Sequence, residues 1–357
     1  MLRRLLTENV RNLTATSVSI DQSVCVITGN NGAGKTSFLE AIHILGTGRS
    51  FRTNQIINII NRDKDKITVF GELANNRRLG VERNKAGEFQ VRINQENQQR
   101  MSTLAQYLPV RVMTPESFLM MTAGAQARRQ FLDFAVFHLE HSFSQDWQNY
   151  NKLLKQRNAL LKQSKGYDEL KYWDNQIITI TERINSLRNQ AFEQLLPHFE
   201  YYQYTFLPQY KVQYSLKSGV DSGDLSQQFI DSYSTDCRYG FTTIGPHKAD
   251  IRVRIDKQKA HQVLSRGELK LLVASLIMGQ IRWLLEREKY CCLLIDDLAS
   301  ELDTTKQGII LDKIVELKGL QTFITSINQP DFFNETSLDY QMFHVEHGHI
   351  RPDDVAS

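Results

Sequence analysis

Two groups of residues, separated by most of the chain, have the types and spacing needed for phosphate chemistry. The first reads Gly29-Asn30-Asn31-Gly32-Ala33-Gly34-Lys35-Thr36, which matches the G-x-x-x-x-G-K-[ST] pattern of a phosphate-binding loop. The second is the adjacent pair Asp296 and Asp297, which follows a short apolar run. Lys35 is expected to pair with the β- and γ-phosphates, and the Thr36 hydroxyl to ligate Mg²⁺. Each end of the chain therefore supplies half of an ATP site.

The residues on both sides of the loop predict the elements that must position it. Residues 24–27 form an apolar, β-branched run typical of a buried strand, and residues from Ser37 onward favour helix. Glycines bring successive backbone amides close to phosphate oxygens, and a helix N-terminus adds favourable partial charge. A Gly/Asn-rich turn could match the pattern by chance, but both flanks are correct. The expected phosphate contacts therefore run from Gly29 to Ser37.

The two aspartates are expected to divide the chemistry at the γ-phosphate. Adjacent carboxylates at the end of a buried strand are costly unless metal or phosphate chemistry uses them. Asp296 is predicted to hold Mg²⁺, and Asp297 to orient or deprotonate the attacking water. The last apolar run ends in Thr325 and Ser326, where a γ-phosphate sensor could lie, with Ser326 the preferred candidate. Lys35, Asp296 and Asp297 are the predicted catalytic residues.

A third group, Ser265-Arg266-Gly267-Glu268, opens an apolar helical pattern. Ser265 and the amides around Gly267 can donate hydrogen bonds at the positive end of that helix, which favours an anion. A plain helix cap explains the same residues equally well. The short separation from Asp296 and Asp297 along the chain favours the phosphate-binding interpretation.

Composition bounds the class of protein. The 357 residues are enough for about two domains, and 41% hydrophobic residues can form a substantial core. A net charge of +3 permits nucleic-acid binding only at a local basic patch. The four cysteines form no C-x-x-C pair, which fits a reducing cytoplasm. No apolar run reaches the about 18 residues of a membrane span, so neither export nor a membrane segment is expected.

The middle of the chain predicts two further structures. Residues Lys66–Leu73, 79–83 and Phe89–Ile93 are short and β-rich, which indicates an antiparallel meander. From Ser142 apolar residues step by three and four, break near residues 162–167, and resume until Pro197. This pattern predicts two antiparallel helices, either an ordinary packed hairpin or a short projecting coiled coil. β-rich stretches follow at 210–216 and 251–255.

Taken together, the motifs resemble those of the ABC-type ATPases and, within them, the RecF family of DNA replication and repair proteins, relatives of the chromosome-maintenance (SMC) ATPases. Besides the phosphate loop, the shared motifs are Gly48-Arg49-Ser50-Phe51-Arg52, Pro115-Glu116-Ser117-Phe118, Gly124 with Arg128-Arg129 and Leu132-Asp133, Gly245-Pro246-His247-Lys248, Leu264-Ser265-Arg266-Gly267, and Leu294-Ile295-Asp296-Asp297 with Ser300-Glu301-Leu302-Asp303. The resemblance implies an α/β fold: an ABC-type P-loop ATPase head, residues 1–135 and 206–357, with an antiparallel meander and a helical hairpin lobe inserted at 136–205.

The resemblance also implies functional roles for individual residues. Ser265, Arg266, Gly267 and Glu268 would form the signature motif that completes the ATP site of a second subunit, so that ATP bridges a head-to-head homodimer. The nucleotide-binding set would further include Arg11 and Asp303. Glu268 stands where glutamine is common, and a carboxylate near polyphosphate is repulsive unless it points away or pairs with Arg266. The pattern also departs from the family's at Val10, Ala125, Lys248 and Ala249. An aspartate as base and a neutral sensor predict slow ATP hydrolysis.

DNA is the partner that the resemblance implies, as single strands and as gapped or junction duplexes. Candidate contacts are basic residues, which give affinity without reading sequence; they are Arg49, Arg52, Arg77, Arg78, Arg128, Arg129 and Lys248, with Arg83, Lys85, Arg252 and Arg254 nearby. Each cluster could instead be a solvated face, and Arg128 and Arg129 could form internal ion pairs. An alternative patch on the hairpin consists of Lys152, Lys155, Lys162 and Lys165.

Three functions are consistent with these motifs. The first is a RecF-like ATPase that binds DNA at gaps and supports recombinase loading and the SOS response, with RecO- and RecR-type partners. The second is the nucleotide-binding subunit of an ABC transporter, which would place the signature much closer to the phosphate loop. The third is a scaffold that binds ATP without hydrolysing it.

Overall fold

A computed structural model describes residues 1–163, 166–287, 290–297, 304–327 and 339–353. The strands in these segments are β1 (Leu2–Glu8), β2 (Thr16–Ser19), β3 (Val24–Thr28), β4 (Lys66–Leu73), β5 (Arg78–Asn84), β6 (Phe89–Ile93), β7 (Glu96–Gln98), β8 (Val110–Met113), β9 (Val212–Lys217), β10 (Asp250–Ile255), β11 (Gln258–Lys259), β12 (Cys291–Ile295), β13 (Leu320–Thr325), β14 (Gln341–Glu346) and β15 (His349–Asp353). Ser300, Glu301, Leu302, Asp303 and Lys165, which the sequence singles out, lie outside the described residues.

The helices are α1 (Lys35–Thr47), α2 (Leu104–Tyr107), α3 (Leu119–Thr122), α4 (Ala125–Leu139), α5 (Phe143–Leu161), α6 (Lys171–Phe206), α7 (Leu225–Tyr239), α8 (Ala260–Val263), α9 (Arg266–Leu285) and α10 (Thr304–Val315). Within the described segments, no helix combines the length and the apolarity needed to cross a membrane.

The chain divides into two compact units, which differ in extent from the expected head and inserted lobe. The first unit contains residues 1–117 and 281–357, and the second contains residues 118–280. The expected boundaries at 135/136 and 205/206 both fall inside the second unit. The first of these boundaries divides α4, which packs as one helix on both α6 and β10. The second unit therefore holds a sheet and several helices, and the hairpin is only part of it.

A mostly parallel sheet of six strands forms one layer of the first unit, in the order β15-β14-β3-β13-β12-β8. Its central strands β3, β12 and β13 are entirely buried, which explains their unbroken apolar sequences. Because these strands are parallel, their carboxyl ends lie at one edge of the sheet. Phe38 of α1 packs against Phe323 and Phe343, with ring centroids 6.4 and 6.0 Å apart.

An antiparallel sheet of six strands, β2-β1-β4-β5-β6-β7, forms the other layer of the first unit. It contains the meander β4–β5–β6 that the sequence predicts, with antiparallel pairing throughout. Side chains alternate along β4 between buried and more exposed positions. Leu2, Leu5, Ile67 and Val69 are fully buried and join the α1 side chains in one core. This sheet therefore supports α1 and the loop that precedes it.

The helical hairpin in the second unit consists of α5 and α6, which run antiparallel. Ion pairs join Arg157 to Asp174 and Asp146 to Arg183. A higher residue number in α5 therefore faces a lower residue number in α6, as the antiparallel arrangement requires. Helix α6 also packs on α4 and α7. The hairpin is thus the packed alternative, and a projecting coiled coil is wrong.

Helix α6 does not close near Pro197 as expected but continues to Phe206. A proline in a helix interior removes one backbone hydrogen bond at a cost of about 3 kcal/mol. Beyond it, Phe199, Tyr202 and Phe206 are all buried. The free energy of burying these three aromatic side chains offsets the proline, and it depends on contacts that are distant in sequence.

Candidate functional site

The phosphate loop connects β3 to α1 in the first unit. Gly29 has φ +143° and Gly34 has φ +124°, and a Cβ at Gly29 would lie 2.3 Å from the carbonyl oxygen of Val345. Only glycine fits that position. The Lys35 ammonium donates hydrogen bonds to the carbonyl oxygens of Gly29 at 2.6 Å and Asn30 at 3.1 Å. The lysine is therefore held across the mouth of the loop, where a polyphosphate would replace the carbonyls as its partner.

Asn12 supports the loop from the side, a role that the motif does not reveal. Its amide Nδ2 donates to the carbonyl oxygen of Gly32 at 3.0 Å, and its Oδ1 accepts from the hydroxyl of Ser37 at 2.8 Å. The Ser37 hydroxyl, expected to contact phosphate, thus has an internal partner in this structure. Asn12 follows β1, far from the loop in sequence, so only its presence in the family-like Asn9–Asn12 segment could have indicated it.

The Asp296 carboxylate is held by two threonine hydroxyls. Its Oδ1 accepts from Thr36 at 2.9 Å and from Thr325 at 2.8 Å. The Thr325 hydroxyl in turn accepts the backbone N–H of Asp297 at 2.9 Å. Strand β13 lies between β3 and β12, so that its last residue, Thr325, lies beside both the phosphate loop and the aspartates. Sequence reasoning placed Thr325 at this end of the strand but missed its contact with Asp296.

Asp297 has a left-handed backbone conformation, with φ +54°. Aspartate is one of the few residues other than glycine that adopts this region readily, and such residues are common at functional sites. The turn separates its side chain from that of Asp296: the first aspartate is partly buried, and the second is exposed. The structure therefore gives the two carboxylates different environments, as their expected roles require.

These groups line one cavity of about 560 Å³ within the first unit. Its lining includes the loop, Asp296, Asp297, Thr325, Ser326, Arg11, Asn12 and Arg52. Partial burial lowers the pKa of Lys35, while the carboxylates of Asp297 and Asp296 act in the opposite direction. The cavity thus combines the Lys35 ammonium with the carboxylates of Asp296 and Asp297, the charges that a Mg²⁺–polyphosphate requires.

Thr36 and Asp296 are a suitable but incomplete donor set for Mg²⁺. Hard cations prefer oxygen ligands, and both residues supply oxygen within hydrogen-bond distance of one another. In the described part of the chain, no group of three or more His, Cys, Asp or Glu could hold a metal alone. Mg²⁺ commonly binds through one or two protein ligands together with waters and substrate phosphates. The residues therefore fit a metal that arrives with a nucleotide.

Arg11, predicted to bind nucleotide, is anchored by an internal ion pair. Its guanidinium binds the fully buried carboxylate of Glu40 on α1, which also accepts a hydrogen bond from Ser50. Arg11 still lines the cavity, and it lines a neighbouring one of about 600 Å³ together with Asn12, Ile57 and Asp63. The ion pair fixes the arginine between the two cavities.

The signature residues lie in the second unit, at the start of α9. Glu268 accepts hydrogen bonds from the Ser265 amide at 2.9 Å and hydroxyl at 2.7 Å, and from the Tyr210 hydroxyl at 2.9 Å. Ser-x-x-Glu forms a capping box, so the helix cap considered from the sequence is present, with Glu268 as its unforeseen second member. Burial alone would raise the pKa of Glu268, but these hydrogen bonds outweigh it and lower the pKa.

From the sequence, Glu268 would repel a polyphosphate unless it pointed away or paired with Arg266. The structure shows the first arrangement. The carboxylate turns back onto its own helix start, and it does not pair with Arg266, whose guanidinium lies 5.1 Å from the ring centroid of Phe118. Ser265 and Arg266 remain exposed.

The predicted DNA contacts are distributed over different environments. Arg128 forms an ion pair with Asp250, and Arg129 donates to the carbonyl oxygen of Ala249 at 2.8 Å, so both have the internal partners that were the alternative. Arg52 lines the loop cavity. The remaining candidates with identified partners are Arg77, which stacks on Tyr107; Arg78, paired with Glu72; and Lys248, which lies over Phe241. Arg49 is exposed.

This chain matches a known protein family over most of its length. The profile of the RecF/RecN/SMC N terminal domain family matches residues 1–351. The DNA replication and repair protein RecF of Shewanella oneidensis is 39% identical over 355 residues, 98% of this chain and 98% of its own length. Its counterpart in Shewanella frigidimarina is 40% identical over 353 residues, 97% of this chain and 98% of its own.

Solved structures show the same similarity. The recombination mediator protein RecF with ATP, from the RecFOR pathway, matches with a TM-score of 0.87 and 25% identity, over 99% of this chain and 97% of that one. An SMC head bound to the C-winged helix domain of ScpA shares the fold, with a TM-score of 0.58 and 13% identity over 99% and 96% of the two chains. Fold and loop thus define an ABC-type ATPase head of the kind found in SMC proteins. Within that class, the chain belongs to the RecF family of DNA replication and repair proteins.

Proposed function

We propose that this protein is an ATP-dependent DNA-binding protein of replication and recombinational repair, in which ATP controls dimerisation and is hydrolysed slowly. The observation that carries the proposal is the Asp296 carboxylate, held by the hydroxyls of Thr36 and Thr325 beside a phosphate loop. Membership of the RecF family supplies the biological setting. A transporter subunit is disfavoured by that membership.

The roles of the residues at the phosphates follow from the cavity. The loop amides and Lys35 would bind the β- and γ-phosphates. Thr36 and Asp296 would hold Mg²⁺, which when bound neutralises charge developing on the phosphates. Asp297, exposed at the cavity edge, would orient the attacking water. Arg11 lies where the loop cavity meets its neighbour, so the neighbouring cavity is the natural place for the nucleoside.

Dimerisation is supported by the start of α9. Ser265 and Arg266 are exposed at the N-terminus of a 20-residue helix whose first turn is fixed by the Glu268 capping box. Such a terminus attracts anions. We propose that it contacts the γ-phosphate held by a second copy of the chain, with Ser326 as sensor. A related structure belongs to the RecFOR pathway; RecO- and RecR-type proteins are therefore the proposed partners, in the cytoplasm, in recombinase loading and the SOS response.

The test is the mass of the protein in solution together with phosphate release. Light scattering is recorded with and without ATP and Mg²⁺ for wild type, Lys35→Arg and Asp297→Asn, with Asp168→Asn as a matched control on an exposed aspartate away from the cavity. We expect an ATP-dependent dimer in wild type and control. The dimer should persist longer in Asp297→Asn, because hydrolysis is slowed, and should be lost in Lys35→Arg.

Two results would contradict parts of the proposal. A protein that stays monomeric with ATP, Mg²⁺ and DNA, even as Asp297→Asn, would exclude the cross-subunit role of Ser265. Wild-type phosphate release and DNA-bound lifetime in both Lys35→Arg and Asp297→Asn would instead favour the scaffold that binds ATP without using its hydrolysis.

A further inference from the structure

One face of the small sheet in the second unit carries a row of cations. The sheet has the antiparallel order β11-β10-β9. Along β10, Ile251, Val253 and Ile255 are buried, whereas Arg252 and Arg254 alternate with them and are exposed. Because side chains alternate between the two faces of a strand, both arginines project from the same solvent-facing side.

The strand register adds two lysines to this side. Arg254 lies opposite Lys259 of β11, and Asp250 lies opposite Lys217 of β9. Directly opposed residues of an antiparallel pair share a face, so Lys217, Arg252, Arg254 and Lys259 lie together; we call these four residues the cationic sheet face. Asp250 is the carboxylate among them, and its charge is already neutralised by Arg128.

The four cations have no internal partner in the part of the chain that the structure describes. Among the residues that the structure describes, none of the four side chains forms a hydrogen bond or an ion pair. Like charges placed directly opposite one another across a strand pair are destabilising. Folding therefore does not require this unpaired cluster of cations. A bound polyanion would offset the repulsion between their charges.

The cationic sheet face is also concave. Arg252, Arg254 and Lys259 line a cavity of about 420 Å³, together with His261 of α8 and the ion pair of Asp250 with Arg128. Among the described residues that line this cavity there is no Phe, Tyr or Trp, and His261 supplies the one aromatic ring. Stacking on bases requires exposed aromatic rings, whereas phosphate contacts require cations alone. With three sheet cations and a single imidazole ring, the lining suits the phosphates of a nucleic-acid backbone better than it suits base stacking.

We propose that the cationic sheet face binds the phosphodiester backbone of DNA without reading its sequence. The proposal rests on the proposed function only for the identity of the polyanion. It assigns DNA to β9–β11 and not to Arg128 and Arg129, whose guanidinium groups are already engaged, nor to the lysines of the α5–α6 hairpin.

The test compares two variants that each remove three positive charges from the second unit. The face variant carries Arg252→Gln, Arg254→Gln and Lys259→Gln. The control variant carries Lys152→Gln, Lys155→Gln and Lys162→Gln, which are exposed positions on or next to α5. Binding of a fluorescein-labelled duplex is measured by anisotropy over a series of salt concentrations, with ATP and Mg²⁺ present. Thermal melting checks that both variants are folded.

The salt dependence reports the number of phosphate contacts directly. Each contact to duplex DNA contributes about 0.9 to the slope of log K against log salt concentration. We expect the slope of the face variant to be smaller than that of wild type by about 2.7, the sum of three such contacts. The control variant should keep the wild-type slope.

The outcomes separate this inference from the proposed function. If wild type binds DNA and the face variant keeps the wild-type slope, or the control variant alone loses it, the inference is wrong while the proposed function stands. If wild type binds no DNA in the presence of ATP, the proposed function itself fails. Binding of a fluorescent ATP analogue provides an independent check, because the face variant leaves the loop cavity intact.

Discussion

Thr325 shows how one hydroxyl can organise the two aspartates that we propose are catalytic. It donates to the Asp296 carboxylate and accepts the backbone N–H of Asp297, and its side chain is buried. Asp296 is thereby oriented toward Thr36, and Asp297 is fixed in its left-handed turn. Groups that orient metal ligands in this way typically change affinity or activity by 10–100-fold when removed.

Replacing Thr325 by valine keeps its shape and removes the hydroxyl. We expect Thr325→Val to lower the rate of phosphate release by about 10–100-fold and to raise the Mg²⁺ concentration required. The Asp297 amide loses its acceptor, so stability should fall by about 1–3 kcal/mol. Single-turnover phosphate release over a Mg²⁺ series measures the first effect, and urea unfolding measures the second.

The control for this prediction is Thr325→Ser, which retains the hydroxyl. It should keep activity within a few-fold of wild type while losing only a methyl group. Equal losses of activity in the valine and serine variants would show that Thr325 acts through packing and does not position the carboxylate.

At the scale of elements, the approach of α9 to α6 depends on Gly279. A Cβ at this position would lie 2.8 Å from Cδ1 of Phe199 and 3.2 Å from the backbone of His198. His198 and Phe199 directly follow Pro197, in the part of α6 that lies beyond the helix end predicted from the sequence. The close approach of the two helices therefore belongs to the same packing that keeps α6 helical.

Gly279→Ala and Gly308→Ala should change stability in opposite directions. At Gly279 the added methyl group has no room, and overpacking typically costs about 1–3 kcal/mol. At Gly308, in α10, no atom of the described segments lies within 4 Å of the added methyl group. There alanine should stabilise the protein by about 0.5–1 kcal/mol through its helix propensity. Urea unfolding of both variants tests this, and a stabilising effect at Gly279 would contradict the close helix contact.

At the scale of the whole molecule, the expected nucleotide binding belongs to one unit, and the proposed contacts with a second subunit and with DNA belong to the other. The first unit contains the loop, the aspartates and their cavity. The second contains the α9 start and the cationic sheet face. Nucleotide binding to one chain should therefore affect the two units differently, and this difference can be measured directly.

Hydrogen exchange with and without ATP and Mg²⁺ reports on each unit separately. In dilute monomer, ATP should protect the amides of residues 29–37 and 325–327, because these line the cavity or face the phosphates. The amides of α5 and α6 should be unchanged. Lys35→Ala is the control and should abolish the protection. Protection spread equally over both units of a monomer would indicate coupling that the separate cavities do not predict.

The local features of this protein could be predicted from its sequence. The phosphate loop, the buried strands around it, the meander β4–β5–β6 and the aspartate pair each depend on residues close together in the chain. Glycine spacing, apolar runs and the alternation of apolar and polar residues indicate the local backbone conformation of such segments directly. The family resemblance likewise followed from short motifs in a fixed order, and the comparisons confirm it.

Only the tertiary structure decided which distant residues meet. The strand order β3-β13-β12 brings Thr36 and Thr325 to the same carboxylate oxygen of Asp296, and no local pattern encodes that order. Burial of Phe199, Tyr202 and Phe206 carries α6 past a proline that would otherwise end it. The register of β9, β10 and β11 gathers cations from three strands onto one face. In each case the deciding free energy comes from long-range packing or pairing, to which local propensity contributes little.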